Sequence, residues 1–126
     1  MKLVYTLVLA ALLLAVAIQP VLAHHSGAGF SNDTKEITGT IKEFQFKNPH
    51  SWIQVNVVDA AGKTTEWSVE WGSPNQLGRD GYRPSTFPPG AKVTMKVHPM
   101  ANGAPVAGFM AAKFPDGKTI GKWDGE

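Results

Sequence analysis

The chain has 126 residues, with 12 Lys plus Arg against 10 Asp plus Glu for a formal charge of +2, and no cysteine. That length holds one small domain with a single core, and so even a charge balance argues against a nucleic-acid partner. Without cysteine there is no disulfide, no thiolate metal site and no lipid-modified thiol, so any metal has to use His, Met, carboxylates or backbone.

Lys2, the apolar run Leu3 to Ile18, the break at Gln19-Pro20 and the ending Val21-Leu22-Ala23 have the order of a secretory signal peptide, residues 1–23. The alternative is an uncleaved anchor, but this apolar run is shorter than the roughly 20 residues that span a bilayer core. The sequence therefore predicts a periplasmic or secreted protein with no membrane span after cleavage. Loss of Lys2 lowers its charge to +1. Residues 24–34 would form an N-terminal arm and residues 35–126 one domain.

A long first strand is expected over Glu36 to Lys47, where Ile37, Ile41, Phe44 and Phe46 mostly alternate with polar residues and Gly39 marks a bend. Asn48-Pro49 ends it. Trp52 to Val58 alternates as a second strand, with Ile53, Val55 and Val57 as its core face. Asp59-Ala60-Ala61-Gly62 is a hairpin turn, and Thr64 to Trp71 reads as a third strand. Ser73 before Pro74 has the pattern of an N-cap and first-turn proline, opening a short helix that stops at Gly78 or Gly81. Pro88-Pro89-Gly90 turns into a fourth strand, Ala91 to His98. Ala101-Asn102-Gly103 turns into a fifth, Val106 to Phe114, and Asp116-Gly117 precedes a tail ending in Trp123. Three meandering strands, a short helix and two more strands is the order of an all-β, five-stranded OB-like barrel. The alternative is an open β-sandwich of the same strands.

The candidate ligands are the four histidines, His24, His25, His50 and His98. Cleavage after Ala23 leaves His24 with a free amine and an imidazole Nδ1 on one residue, a chelate suited to the tetragonal nitrogen set of Cu(II). His50, at a rigid position after Asn48-Pro49, is the first choice for a third nitrogen, with His25 or His98 as a supplement. The competing interpretation is a solvated terminus and a histidine that only caps a turn. Met95, Met100 and Met110 form no Met-rich motif and read as core filler.

Glu66 and Glu70 lie two pleats apart on one strand face, about 13 Å, too far for a glycosidase pair, and read as solvated carboxylates. No nucleophile elbow, phosphate loop or His-Glu-x-x-His occurs, so no hydrolase chemistry is visible. Trp52, Trp67, Trp71 and Tyr82 could instead form an aromatic face for a small ligand or a periplasmic protein partner.

His24-His25-Ser26, Phe44, Asn48-Pro49-His50, Trp67-x-x-Glu70, Ser73-Pro74, Leu77, Arg79, Gly81-Tyr82 and Pro89-Gly90 together give a further indication. In these the chain resembles a family of small exported bacterial proteins catalogued as domain of unknown function 6152. The resemblance covers nearly the whole chain after Ala23 and implies an exported barrel, with no activity attached. Similar chains commonly carry a bulky residue where this one has Gly27-Ala28-Gly29, and His98 is outside the shared pattern. The sequence thus favours a non-enzymatic copper-binding protein using His24 and His50, over an aromatic binding module and over a copper-dependent oxidative enzyme with the same histidines.

Overall fold

The computed structural model describes residues 29–124. The strands are β1 (Lys35–Gln45), β2 (Trp52–Val58), β3 (Thr64–Glu70), β4 (Lys92–Pro99), β5 (Val106–Lys113) and β6 (Thr119–Gly121), with the helix α1 (Pro74–Arg79) between β3 and β4. They run in the order β3-β2-β1-β4-β5-β6, and a parallel pairing of β3 with β5 closes five of them into a barrel. This is the OB-like arrangement expected, not an open sandwich.

Closure depends on β1 serving two neighbours. Its first half, Lys35 to Thr40, pairs with β4, and its second half, Thr40 to Gln45, pairs with β2 across a bulge at Ile41/Glu43. Gly39 sits where the strand passes from one partner to the other. A Cβ there would lie 2.2 Å from the Asn56 carbonyl oxygen, so only glycine allows this approach. The strand ends two residues earlier than its alternation suggested, because Phe46 and Lys47 already lead into the cis Asn48–Pro49 bond.

The β2–β3 hairpin follows directly from its sequence. Asp59 Oδ1 accepts from the Ala61 and Lys63 amides, and the full pairing from Val58↔Thr64 to Trp52↔Glu70 is set by that turn. Ile53, Val55 and Val69 are fully buried, whereas Val57 only packs against the core from its margin. Phe87, also fully buried, lies among Phe44, Trp71, Phe109 and Phe114, with ring centroids 5.4 to 5.9 Å away. Truncating a ring in such a cluster costs about 3–5 kcal/mol.

Ser73 caps α1 through its hydroxyl, which accepts from the Gln76 amide at 3.3 Å, and Leu77 is the residue the helix buries. A 3-10 turn over Pro84–Thr86 was not anticipated. Nor was β6, a three-residue strand that buries Ile120 against β5. Beyond it, Trp123 is held to the barrel by Lys96, whose Nζ lies 4.6 Å from the ring centroid and donates to the Trp123 carbonyl. No helix among the described residues is long and apolar enough to cross a membrane.

Candidate functional site

The β2–β3 ladder continues past the ends of both strands. The Ser51 amide donates to the Gly72 carbonyl and the Trp71 amide to the Ser51 carbonyl, each at 2.9 Å. His50 therefore stands on the outer face with Trp52, diagonal to Glu70, which is paired with Trp52. The diagonal is closed by a side-chain contact, His50 Nδ1 to Glu70 Oε1, at 2.5 Å. Glu70 is the more buried partner, its side chain 10% exposed against 34% for His50. An ionised carboxylate only accepts, so Nδ1 is the donor in this contact and Nε2 is the ring nitrogen that Glu70 leaves unengaged.

The pair borders an open depression of about 320 Å³ lined by Phe30, His50, Glu70, Trp71, Gly72, Gly108 and Phe109. Two of these positions are glycine: Gly72 lies against Leu77, and Gly108 lies under Phe30. Gly108 neighbours Glu70 across the parallel β3–β5 pairing, and the Phe30 ring lies on it. Trp71 and Phe109, with centroids 4.5 Å apart, form an apolar wall. The site thus offers an oriented imidazole nitrogen, a shielded carboxylate behind it and an aromatic rim.

Among the described residues no three His, Asp or Glu side chains gather as a metal-binding group. His50 could be one ligand, and others would have to come from outside these residues. His24 and His25 lie outside the described residues. His98 is not brought to the depression; its Nδ1 donates to the Asp33 carbonyl at 3.0 Å, tying β4 to the segment before β1.

The two strand carboxylates have different surroundings. Glu66 is half exposed and bonded to Lys42 at 2.7 Å, a contact that raises the Lys42 pKa from its usual 10.5 through the hydrogen bond first and the Glu66 charge second. Glu70 corrects the expectation of a solvated group, since the turn-determined register seats it behind the imidazole. The signal was in the sequence: counting outward from the Asp59–Gly62 turn places His50 beside Glu70.

The aromatic candidates are divided between regions of the surface. Trp71 and Tyr82 pack on each other, centroids 4.7 Å apart, against the core. Trp67, on β3 and four residues before Trp71, lies beneath Lys35 Nζ at 5.0 Å, and Trp52 is on the outer face of β2. The Trp67 region opens into a second depression of about 520 Å³, with Val57, Val58 and Pro105 among its walls. Of the methionines expected to fill the core, Met95 does so, whereas Met100 and Met110 are only half-buried and lie outside it.

A protein-family model described as Family of unknown function (DUF6152) matches residues 11–109. No curated protein and no solved structure matches the chain significantly.

Proposed function

Because the chain belongs to this family of unknown function, its role has to come from its own residues, and we propose an exported copper-binding protein. In this proposal cleavage follows Ala23, the His24 amine and Nδ1 chelate Cu(II), and His50 Nε2 supplies the third nitrogen. The protein would store, carry or sense the metal without catalysing a reaction.

The single observation that carries the proposal is the His50–Glu70 contact at the edge of the Phe30 depression. Metal-ligating histidines characteristically present one ring nitrogen to the metal and donate from the other to a carboxylate, which fixes the ring and raises its basicity. Glu70 holds that outer position here. Chain length permits the rest. Phe30 lines the depression, and the five residue steps from His24 to Gly29 span at most about 18 Å.

The test is Cu(II) titration by calorimetry on a protein that begins at His24 and on one with a residue added before it. Tight one-to-one binding confined to the first, and lost in His50→Ala, is the expected result. Equal binding by both forms, or by His50→Ala, overturns the proposal.

The Trp67 depression favours a second function, an organic ligand or partner protein held on aromatic surface. Quenching of Trp67 fluorescence by such a ligand, absent in Trp67→Leu, distinguishes it from the copper site at the other end of β3.

A further inference from the structure

The even charge of the whole chain conceals an uneven distribution. Residues 91–122, which hold β4, β5 and β6, carry five lysines against one acid, Asp116, whereas residues 29–90 carry six Lys plus Arg against seven Asp plus Glu. The register gathers three of those lysines on one outer face. Along β4 the buried Val93, Met95 and Val97 alternate with Lys92, Thr94 and Lys96, which therefore point outward. Lys113 of β5 pairs with Thr94, so it stands diagonally between the two β4 lysines, about 7–8 Å from each by Cβ.

Among the described residues the ion pairs are Lys42–Glu66 and His50–Glu70, so no described carboxylate pairs with this group. Lys92 Nζ donates instead to Thr40 Oγ1 at 3.0 Å, and Lys96 and Lys113 converge on one ring, their Nζ atoms 4.6 and 5.3 Å from the Trp123 centroid. Ammonium groups held together in this way repel one another, and a cation–π contact offsets that cost without removing the charge.

The face is hollowed where β4 begins and β5 ends. Two depressions, of about 390 and 330 Å³, adjoin there and share Lys92, Phe114 and Pro115 as walls. The first adds Lys118 with Ser85 and Thr86, and the second adds Lys113 with Thr38 and Thr94. Asp116 also borders the first, but its Oδ1 accepts from the Lys118 amide at 2.9 Å as part of the turn. One open trough thus carries three lysines, four hydroxyl-bearing residues and apolar surface.

We propose that this trough binds an acidic polysaccharide, a chain of sugar carboxylates, in a role separate from the copper site. Repeated negative charge suits lysines spaced along a trough, sugar hydroxyls suit the Ser and Thr rim, and the apolar faces of sugar rings suit Phe114 and Pro115. Other polyanions fit less well. A membrane surface calls for exposed apolar side chains among the lysines, and the large hydrophobic residue exposed among those described, Val58, is at the end of β2. Nucleic acid favours arginine forks for its phosphates and open rings for its bases, but every cation of residues 91–122 is lysine, and Trp123 already lies against two of them.

Calorimetric titration with polygalacturonate tests this. Binding is expected to weaken as salt rises and to fall roughly tenfold in Lys92→Gln/Lys118→Gln, since each exposed charge contact supplies up to about fivefold. Lys47→Gln/Lys63→Gln removes the same charge away from the trough and should leave the affinity unchanged. These four lysines are exposed, so both variants should melt with wild type. Methyl-esterified polygalacturonate keeps the sugars but loses the charge, and should bind at least about tenfold more weakly. Amide shift changes on titration should centre on Thr38, Thr94, Lys113 and Lys118. No binding, equal losses in the two double variants, shifts centred on Trp67 or His50, or equal affinity for oligothymidylate or anionic vesicles would each overturn the proposal.

Discussion

His50 and Glu70 are joined across the β2–β3 hairpin by a side-chain contact, Nδ1 to Oε1, in which the carboxylate is the more buried group. An acid behind an imidazole does two things. It makes Nδ1 the donor and leaves Nε2 unengaged, and it holds the ring plane toward the depression. Both effects come from register, since the residues are 20 apart in sequence and adjacent only because the Asp59 turn aligns the strands.

Glu70→Ala should therefore affect copper binding more than folding. Loss of an outer carboxylate typically lowers metal affinity 10- to 100-fold, whereas a single side-chain hydrogen bond contributes only about 0.5–1.5 kcal/mol to stability. Calorimetric titration and urea unfolding on the same preparation separate the two. A larger effect on the unfolding midpoint than on copper affinity would assign Glu70 to the fold.

Gly39→Ala should be the most damaging single-methyl addition in β1. The new Cβ would meet the Asn56 carbonyl oxygen at 2.2 Å and its carbon at 2.9 Å, and a backbone group cannot rotate away. Relief requires parting β1 from β2 near the Thr40↔Asn56 pair, with a cost on the order of 3 kcal/mol. Gly108→Ala is the control, because there the obstacle is the Phe30 ring, which can move. Similar unfolding midpoints for the two variants would disprove the distinction.

Much of this fold was legible because one strand face is buried. Ile53 and Val55 announce a half-buried strand by alternation, Asp59 to Gly62 announces the turn, and Ser73-Pro74 announces the helix start. β6 was not legible, since three residues around Ile120 are too few to show a period. The bridge between Phe30 and Met100 was hidden for a related reason: its backbone bonds go to residues about 70 positions away, and no local pattern encodes them. At the candidate site His50 could be identified from its rigid turn. Its partner was missed because Glu70 was weighed against Glu66 on the same strand rather than against the neighbouring strand.

The Lys42–Glu66 pair gives a pH signature distinct from the copper site. Its hydrogen bond raises the Lys42 pKa above 10.5, so the folded state favours the charged amine. The contribution is fully present below 10.5 and disappears as pH rises through the higher folded-state value. Glu66→Gln should melt slightly below wild type at neutral pH, with the gap closing in strong alkali and in high salt, since the pair is exposed. A gap that widens with pH would contradict the sign.

Copper should stabilise the folded protein in a way that depends on the free terminus and on protons. A ligand that binds only the folded state adds RT ln(1 + [L]/Kd), about 2.7 kcal/mol at one hundred times Kd, and raises the melting temperature accordingly. The proposed ligand set is an amine and two imidazoles, each of which binds metal only when deprotonated, so protons compete at every position. The increase in melting temperature should be large near about pH 7.5 and nearly absent near about pH 5, across the range where amines and imidazoles take up protons. It should be small at both pH values when a residue precedes His24 or when His50 is alanine. Carboxylate ligands would keep binding copper at the lower pH, so an increase that survives acidification would place the metal elsewhere, at sites built from Asp and Glu.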